Sequence, residues 1–274
     1  MTLLNAWATA GFVILGLVSA VWLLSLALRD SSIVDIFWGA GFIAVIWTLV
    51  MSAGDAGPRG WLMAALVTVW GMRLSLHILL RNRGRGEDFR YRTWREEAGA
   101  AWWWRSYFKV FLLQGAEMWI VALPLAAVAS TTATGALSFS SARPGASPGL
   151  GWFEALGVVV WSVGLLFEAI GDRQLMRFKA DPANKGRVMS SGLWRYTRHP
   201  NYFGDATVWW GHYLVAAAAG AWWTIVSPAL MTFLLVRVSG VSMLERTLSG
   251  TKPGYREYIE STSAFVPLPP GRRP

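Results

Sequence analysis

Asp35, Arg73, His77, Glu117, Glu168, Asp172, Asp205 and His212 all fall in or at the ends of stretches otherwise apolar enough to cross a membrane. A charged side chain at the centre of a membrane helix costs about 2.5–3.5 kcal/mol on insertion scales, so it needs a partner, a water-filled cavity or a ligand. Helical spacing groups these residues. Trp70, Arg73 and His77 recur at i, i+3 and i+7, on one helix face. Glu168 and Asp172 are one turn apart, and Asn201, Asp205, Trp209 and His212 fall close to one stripe. Taken singly, each residue reads as an interhelical hydrogen bond or a snorkelling side chain. Three stripes that each lead in from a basic loop predict a cavity, polar at its mouth and aromatic at depth.

The loops beside these stripes predict an anionic ligand. RNRGRGEDFRYR follows the third apolar run and RFKADPANKGRV follows the fifth. Arginine forks match phosphate oxygens bidentately, and Gly84 and Gly86 admit close backbone approach. Lipid headgroups would be attracted to the same surface. There is no GxGxxG after a strand and no Walker motif, so neither soluble nucleotide fold is expected. The three histidines, His77, His199 and His212, lie in separate segments without ligand-pair spacing, and cysteine is absent. No metal site and no cysteine nucleophile are therefore expected. No Ser or Thr has a paired base in the sequence, so nucleophilic catalysis is not predicted.

The elements that must position these residues are membrane helices. Of the 274 residues 54% are hydrophobic and only 15% charged, against about 25% charged in a soluble domain. About 20 apolar residues span a bilayer, and the pattern predicts an all-α bundle of seven spans, roughly 5–28, 32–53, 61–80, 107–129, 150–171, 203–220 and 221–241. Basic residues concentrate after the third, fifth and seventh spans, with Arg29 after the first, while the opposite loops hold only Arg59 and Arg143. The positive-inside rule then puts the amino terminus outside and the carboxyl terminus in the cytoplasm. The net charge of +9 is assigned to those loops and to membrane lipids, with no nucleic-acid partner. TTATGALSFSSARPGASPG, at 131–149, reads as a non-cytoplasmic loop. No repeat and no separate soluble domain is visible, so residues 1–274 read as one integral membrane domain.

The order and spacing of several segments carry a resemblance. NRGR at 82–85, LLQG at 112–115, FEAIGDRQLMRFK at 167–179, SGLWRYTRHPNYFGD with WW at 191–210, and PGYREYIESTSAFVPLPP at 253–270 together resemble the steroid 5-alpha-reductase family, above all its bacterial membrane branch. The resemblance implies a monomeric seven-helix bundle in a bacterial inner membrane. It implies an NADPH site facing the cytoplasm and a lipophilic enone, such as a 3-keto-4-ene steroid, as substrate. Arg73, His77, Asn82, Arg85, Asp172, Arg187, Tyr196 and Asn201 match positions around the cofactor. Glu168, Lys179 and Asp205 take the places of an asparagine, an arginine and a glutamate there. Gln114 matches a glutamine near cofactor and substrate, and Asp35 lies one residue from the carboxylate that polarises the substrate carbonyl. Trp70 stands where the family has a tyrosine, offering an N–H in place of an acidic hydroxyl.

RYTRHPNYFG, Glu245 and PGYREY also resemble the isoprenylcysteine and phospholipid methyltransferases, which bind S-adenosylmethionine. NRGR, LLQG and EAIGD in the rest of the chain favour the reductase. A non-enzymatic lipid-binding membrane protein is the third expectation.

Overall fold

The computed structural model describes residues 1–131, 150–238, 241, 245, 250 and 252–271. The described residues form helices and turns with no strand, only an isolated bridge between Thr197 and Ser263. The chain divides into two compact units, Met1–Gly151 with Val215–Ser227, and Trp152–Leu214 with Pro228–Pro274.

The first unit opens with α1 (Leu3–Leu28), capped by Thr2, whose side chain accepts the Asn5 N–H. A 3-10 turn (Ser31–Ile36) leads into α2 (Phe37–Ser52), and α3 spans Gly57–Asn82. α2 and α3 pack through Gly39 and Gly71, where a Cβ on Gly39 would run into the Gly71 carbonyl. Then come α4 (Phe89–Ala98), α5 (Trp102–Ser106), a π turn (Tyr107–Leu112), α6 (Leu113–Val121) and α7 (Leu123–Thr131). Residues 89–106, expected as loop, are largely helical. Asp88 caps α4 by accepting the Arg90 N–H at 3.0 Å, which starts a helix in a polar stretch where apolar periodicity gives no signal. The chain bends by 44° between Val121 and Leu123. Pro124 accounts for the bend, because it has no N–H to donate and its ring would collide with the preceding turn.

The second unit holds α8 (Trp152–Ala180), most of α9 (Pro200–Ala218) and α11 (Tyr255–Ser261). α10 (Val226–Phe233) begins in the first unit and continues into the second, where a π turn (Leu234–Val238) follows it. α8 and α9 meet backbone to backbone. A Cβ on Gly164 would lie 2.6 Å from Val208 N, one on Gly211 would lie 2.6 Å from Trp161 Cβ, and one on Gly204 would strike Glu168 N. Gly157, Trp161, Gly164, Glu168 and Gly171 are all buried on α8. The seam therefore draws Glu168 under the start of α9.

Four helices, Leu3–Leu28, Ser31–Ser52, Gly57–Asn82 and Trp152–Ala180, are long and apolar enough to cross a membrane, and the bent Phe89–Val121 and Leu123–Ser130 pair makes a fifth if it is one span. This is the pattern of an integral membrane protein. The expected span at 203–220 is the helix Pro200–Ala218, whose polar residues lower its hydropathy. The expected span at 221–241 is a shorter apolar stretch, Trp222–Val238, made of a 3-10 turn, an eight-residue helix and a π turn. Residues 132–149 of the expected outer loop lie outside the described residues.

Candidate functional site

In the first unit the polar residues form a continuous hydrogen-bonded chain. Trp38, near the start of α2, donates its indole N–H to Gln114 Oε1 on α6 at 2.5 Å. Gln114 Nε2 donates to the Tyr91 hydroxyl at 3.1 Å, and Tyr91 donates to Asp35 Oδ1 at 2.7 Å. Asp35 Oδ2 accepts from Arg90 at 3.1 Å, and Arg90 also reaches Asp88. Two of the sequence-predicted catalytic residues, Asp35 and Gln114, are thus joined through Tyr91. The third, Trp70, is fully buried and lies in an aromatic row with Phe42 and Trp38.

A second cluster sits beside the first. Arg95 pairs with Glu87 at 2.8 Å, and Glu87 accepts the Ser31 N–H at 2.7 Å. Trp102 donates to Ser31 Oγ at 3.2 Å. Burial pushes the Glu87 carboxyl up, but the Arg95 and Ser31 hydrogen bonds outweigh it and leave it below its ordinary value. Asp88 is likewise held low, with burial opposed by hydrogen bonds from Arg90. α4 is therefore tied at two places to the 3-10 turn that leads into α2.

Arg73 and His77 lie part-exposed on α3, and Asn82 closes that helix. The NRGR turn is a tight one: Arg85 N–H bonds Asn82 O at 3.0 Å, and Gly84 and Gly86 take φ of 75° and 71°. Arg81, Arg83 and Arg85 are exposed around it. The backbone is open for an anion there, since a Cβ at either glycine would meet nothing within 4 Å. The same unit has an apolar cavity of about 370 Å³ lined by Gly11, Phe12, Ile14 and Leu15 of α1 and by Gly115 and Trp119 of α6.

In the second unit Glu168, Asp172 and Asp205 are all buried on the α8–α9 seam. Asn201, in the first turn of α9, donates its Nδ2 to Asp172 Oδ1 at 3.1 Å. A carboxylate next to an amide fixes which end of the amide faces it. Asn201 Oδ1 therefore points away, and it is a buried acceptor with no donor among the described residues. Lys179, Arg187 and Tyr196 are exposed in the same unit. Arg187 lends its carbonyl to Lys252 Nζ at 2.9 Å, and Tyr196 lends its carbonyl to Leu268 N.

The RYTRHP segment is clasped by the carboxyl-terminal stretch. Arg198 donates to Glu245 at 2.7 Å and to the carbonyls of Ile259 and Thr262, while its own N–H bonds Ser263 O at 2.8 Å. Tyr258 donates to Trp194 O, and Thr197 donates to Phe265 O at 2.8 Å. His199 Nε2 lies 3.3 Å from the same Glu245 oxygen. Burial pushes Glu245 up, but hydrogen bonds from His199 and Arg198, with the Arg198 charge, bring it down to about 2.

Tyr91, Arg90 and Arg198 do not emerge as site residues from helical periodicity. Tyr91 sits in an arginine-rich stretch that reads as solvated, and only its place in a capped helix, EDFRYRTWREE, brings it to Asp35.

The family described as "Protein of unknown function (DUF1295)" matches residues 21–262. It lies within the steroid 5-alpha-reductase-like superfamily. An uncharacterized protein of Schizosaccharomyces pombe is 24% identical over 278 residues, covering 91% of this chain and 76% of that one. The "Probable O-methyltransferase ustE" of Ustilaginoidea virens is 33% identical over 85 residues, 31% of this chain and 29% of that one. No solved structure matches.

Proposed function

We propose that this chain, which belongs to the DUF1295 family, is an NADPH-dependent membrane reductase of the C=C bond of an α,β-unsaturated ketone in a lipophilic substrate. The observation that carries the reading is Asn201. Its amide oxygen is buried, oriented by Asp172 and lacking a donor among the described residues, which suits a ligand that brings an N–H or O–H to it. An unpaired buried carbonyl costs about 1–3 kcal/mol, and a bound dinucleotide, rich in hydroxyl and amide donors, would recover that.

NADPH, when bound, would supply the hydride that adds to the β-carbon of the enone, leaving NADP⁺ and an enolate that takes its α-carbon proton from water. The chain's own part is binding and polarisation. In the second unit Asn201, Asp172, Glu168 and Asp205 accept hydrogen bonds, and Lys179, Arg187 and Tyr196 contribute from its surface. In the first unit the NRGR turn offers Asn82, Arg85 and open backbone to phosphate, with Arg73 and His77 on the preceding helix. The apolar cavity and the exposed apolar faces suit a substrate that arrives through the bilayer. The seven-span arrangement with an external amino terminus belongs to the same proposal, as does a cofactor site open to the cytoplasm.

The test is single-turnover NADPH oxidation by the purified protein in detergent, with and without a 3-keto-4-ene steroid. Steroid-dependent oxidation with a saturated ketone as product is the expected result. Tight NADPH binding without oxidation keeps the cofactor and rejects the steroid. The ustE likeness and the Arg198–His199–Glu245 cluster support a second reading, an S-adenosylmethionine-dependent methyltransferase. Binding of S-adenosylmethionine with no binding of NADPH would favour it.

A further inference from the structure

In the first unit, the hydrogen-bond chain from Trp38 to Asp35 has a single polarity. An indole N–H can only donate, so the Gln114 carbonyl is the end that faces Trp38. The Gln114 NH₂ must then face Tyr91 and donate to it. With its oxygen accepting from Gln114, Tyr91 sends its own proton to Asp35. Every proton in the chain is directed toward Asp35, and both of its oxygens are engaged from α4, by Tyr91 and by Arg90. The Tyr91 proton is committed, and Trp70 is fully buried.

One donor remains. An amide NH₂ carries two protons, and Tyr91 takes one of them. We infer that the second N–H of Gln114 is the donor to the substrate carbonyl oxygen, with Trp38 and Tyr91 as the positioning residues that lock the amide the right way round. The inference rests on the reductase reading. Gln114 is part-exposed, so its free N–H is reachable by a ligand. As negative charge gathers on the carbonyl oxygen, a held neutral donor stabilises it without transferring a proton. The amide does not titrate, so the donor is present at every working pH. Without Trp38 the amide can rotate by half a turn and present its carbonyl to the substrate oxygen, which repels it.

The experiment is infrared difference spectroscopy of the purified full chain with a 3-keto-4-ene steroid labelled with carbon-13 at the carbonyl, without cofactor. Wild type should move the labelled carbonyl stretch to lower frequency on binding. Gln114→Leu should bind the steroid and lose the shift. Trp38→Phe should split or weaken it, while Asp35→Asn should retain it. In turnover, kcat of Gln114→Leu should fall about 10²–10³-fold, as for loss of one oxyanion donor, with KM changed far less. A full shift in both Gln114→Leu and Trp38→Phe, with steroid bound, overturns the inference and leaves the reductase reading standing. A wild-type protein that neither binds nor reduces any enone overturns the reading and the inference together.

Discussion

The hydroxyl of Tyr91 donates to Asp35 Oδ1 at 2.7 Å, linking the polar helix α4 to the 3-10 turn that leads into the apolar helix α2. With Arg90 on the other oxygen at 3.1 Å, Asp35 holds α4 in place. Asp35→Ala removes both acceptors and should cost about 1–3 kcal/mol locally. Hydrogen exchange over residues 83–98 should accelerate, while the α8–α9 seam is unchanged. Asp35→Asn, which keeps an acceptor, should give the smaller effect. Equal exchange in wild type and Asp35→Ala would show that α4 is held by the Glu87–Arg95 pair alone.

Asn201 and Asp172 make a matching prediction in the second unit. Asn201→Leu should weaken NADPH binding about 10-fold or more, the scale of one or two lost hydrogen bonds. Asn201→Asp sets a second carboxylate 3.1 Å from Asp172 and should weaken it further. Nicotinamide fluorescence titration reads both. Undiminished affinity in Asn201→Leu, with the protein folded, would remove Asn201 from the site.

The α8–α9 seam depends on glycine. At Gly164 an added Cβ would lie 2.6 Å from Val208 N and 2.7 Å from Gly204 O, and backbone atoms cannot move aside as a side-chain tip can. Gly164→Ala should lower stability by about 1–3 kcal/mol, seen as a reduced Tm in detergent. Gly16→Ala, in the interior of α1 with nothing within 4 Å, is the control and should not lower Tm, since alanine suits a helix interior better than glycine.

Acid should loosen the carboxyl-terminal clasp. Glu245 titrates at about 2 in the folded chain against an ordinary value of 4.5. The unfolded chain binds the proton first, so this stabilisation is complete above pH 4.5 and is lost as pH falls through about 2. Thermal unfolding followed between pH 6 and pH 2 should show that loss in wild type and a flatter profile in Glu245→Gln. Identical profiles would mean that Glu245 contributes nothing to the clasp.

Long apolar runs were the most legible part of the sequence. The helices at Leu3–Leu28, Gly57–Asn82 and Trp152–Ala180 follow from composition, because an apolar stretch of that length has few alternatives in a membrane. The seam was legible only in part. Spacing puts Glu168 and Asp172 on one face, but the fit of Gly164 and Gly204 against backbone is a property of the pair of helices. α4 was hidden because its contacts are polar and distant in sequence. The bond from Tyr91 to Asp35 bridges 56 positions and that from Gln114 to Tyr91 bridges 23, so no local pattern announces either. The break at Pro124 was visible as a residue, but its effect was to bend one apolar run and not to end it.

The clasp on Arg198 has a consequence for biosynthesis. Arg198 and the Thr262 carbonyl that it holds are 64 positions apart. At about 5–20 residues per second, translation leaves an interval of about 3–13 s between the two. Until then the Arg198 guanidinium lacks the Thr262 carbonyl that completes its set of acceptors, so the clasp closes only after the segment around Thr262 has been made.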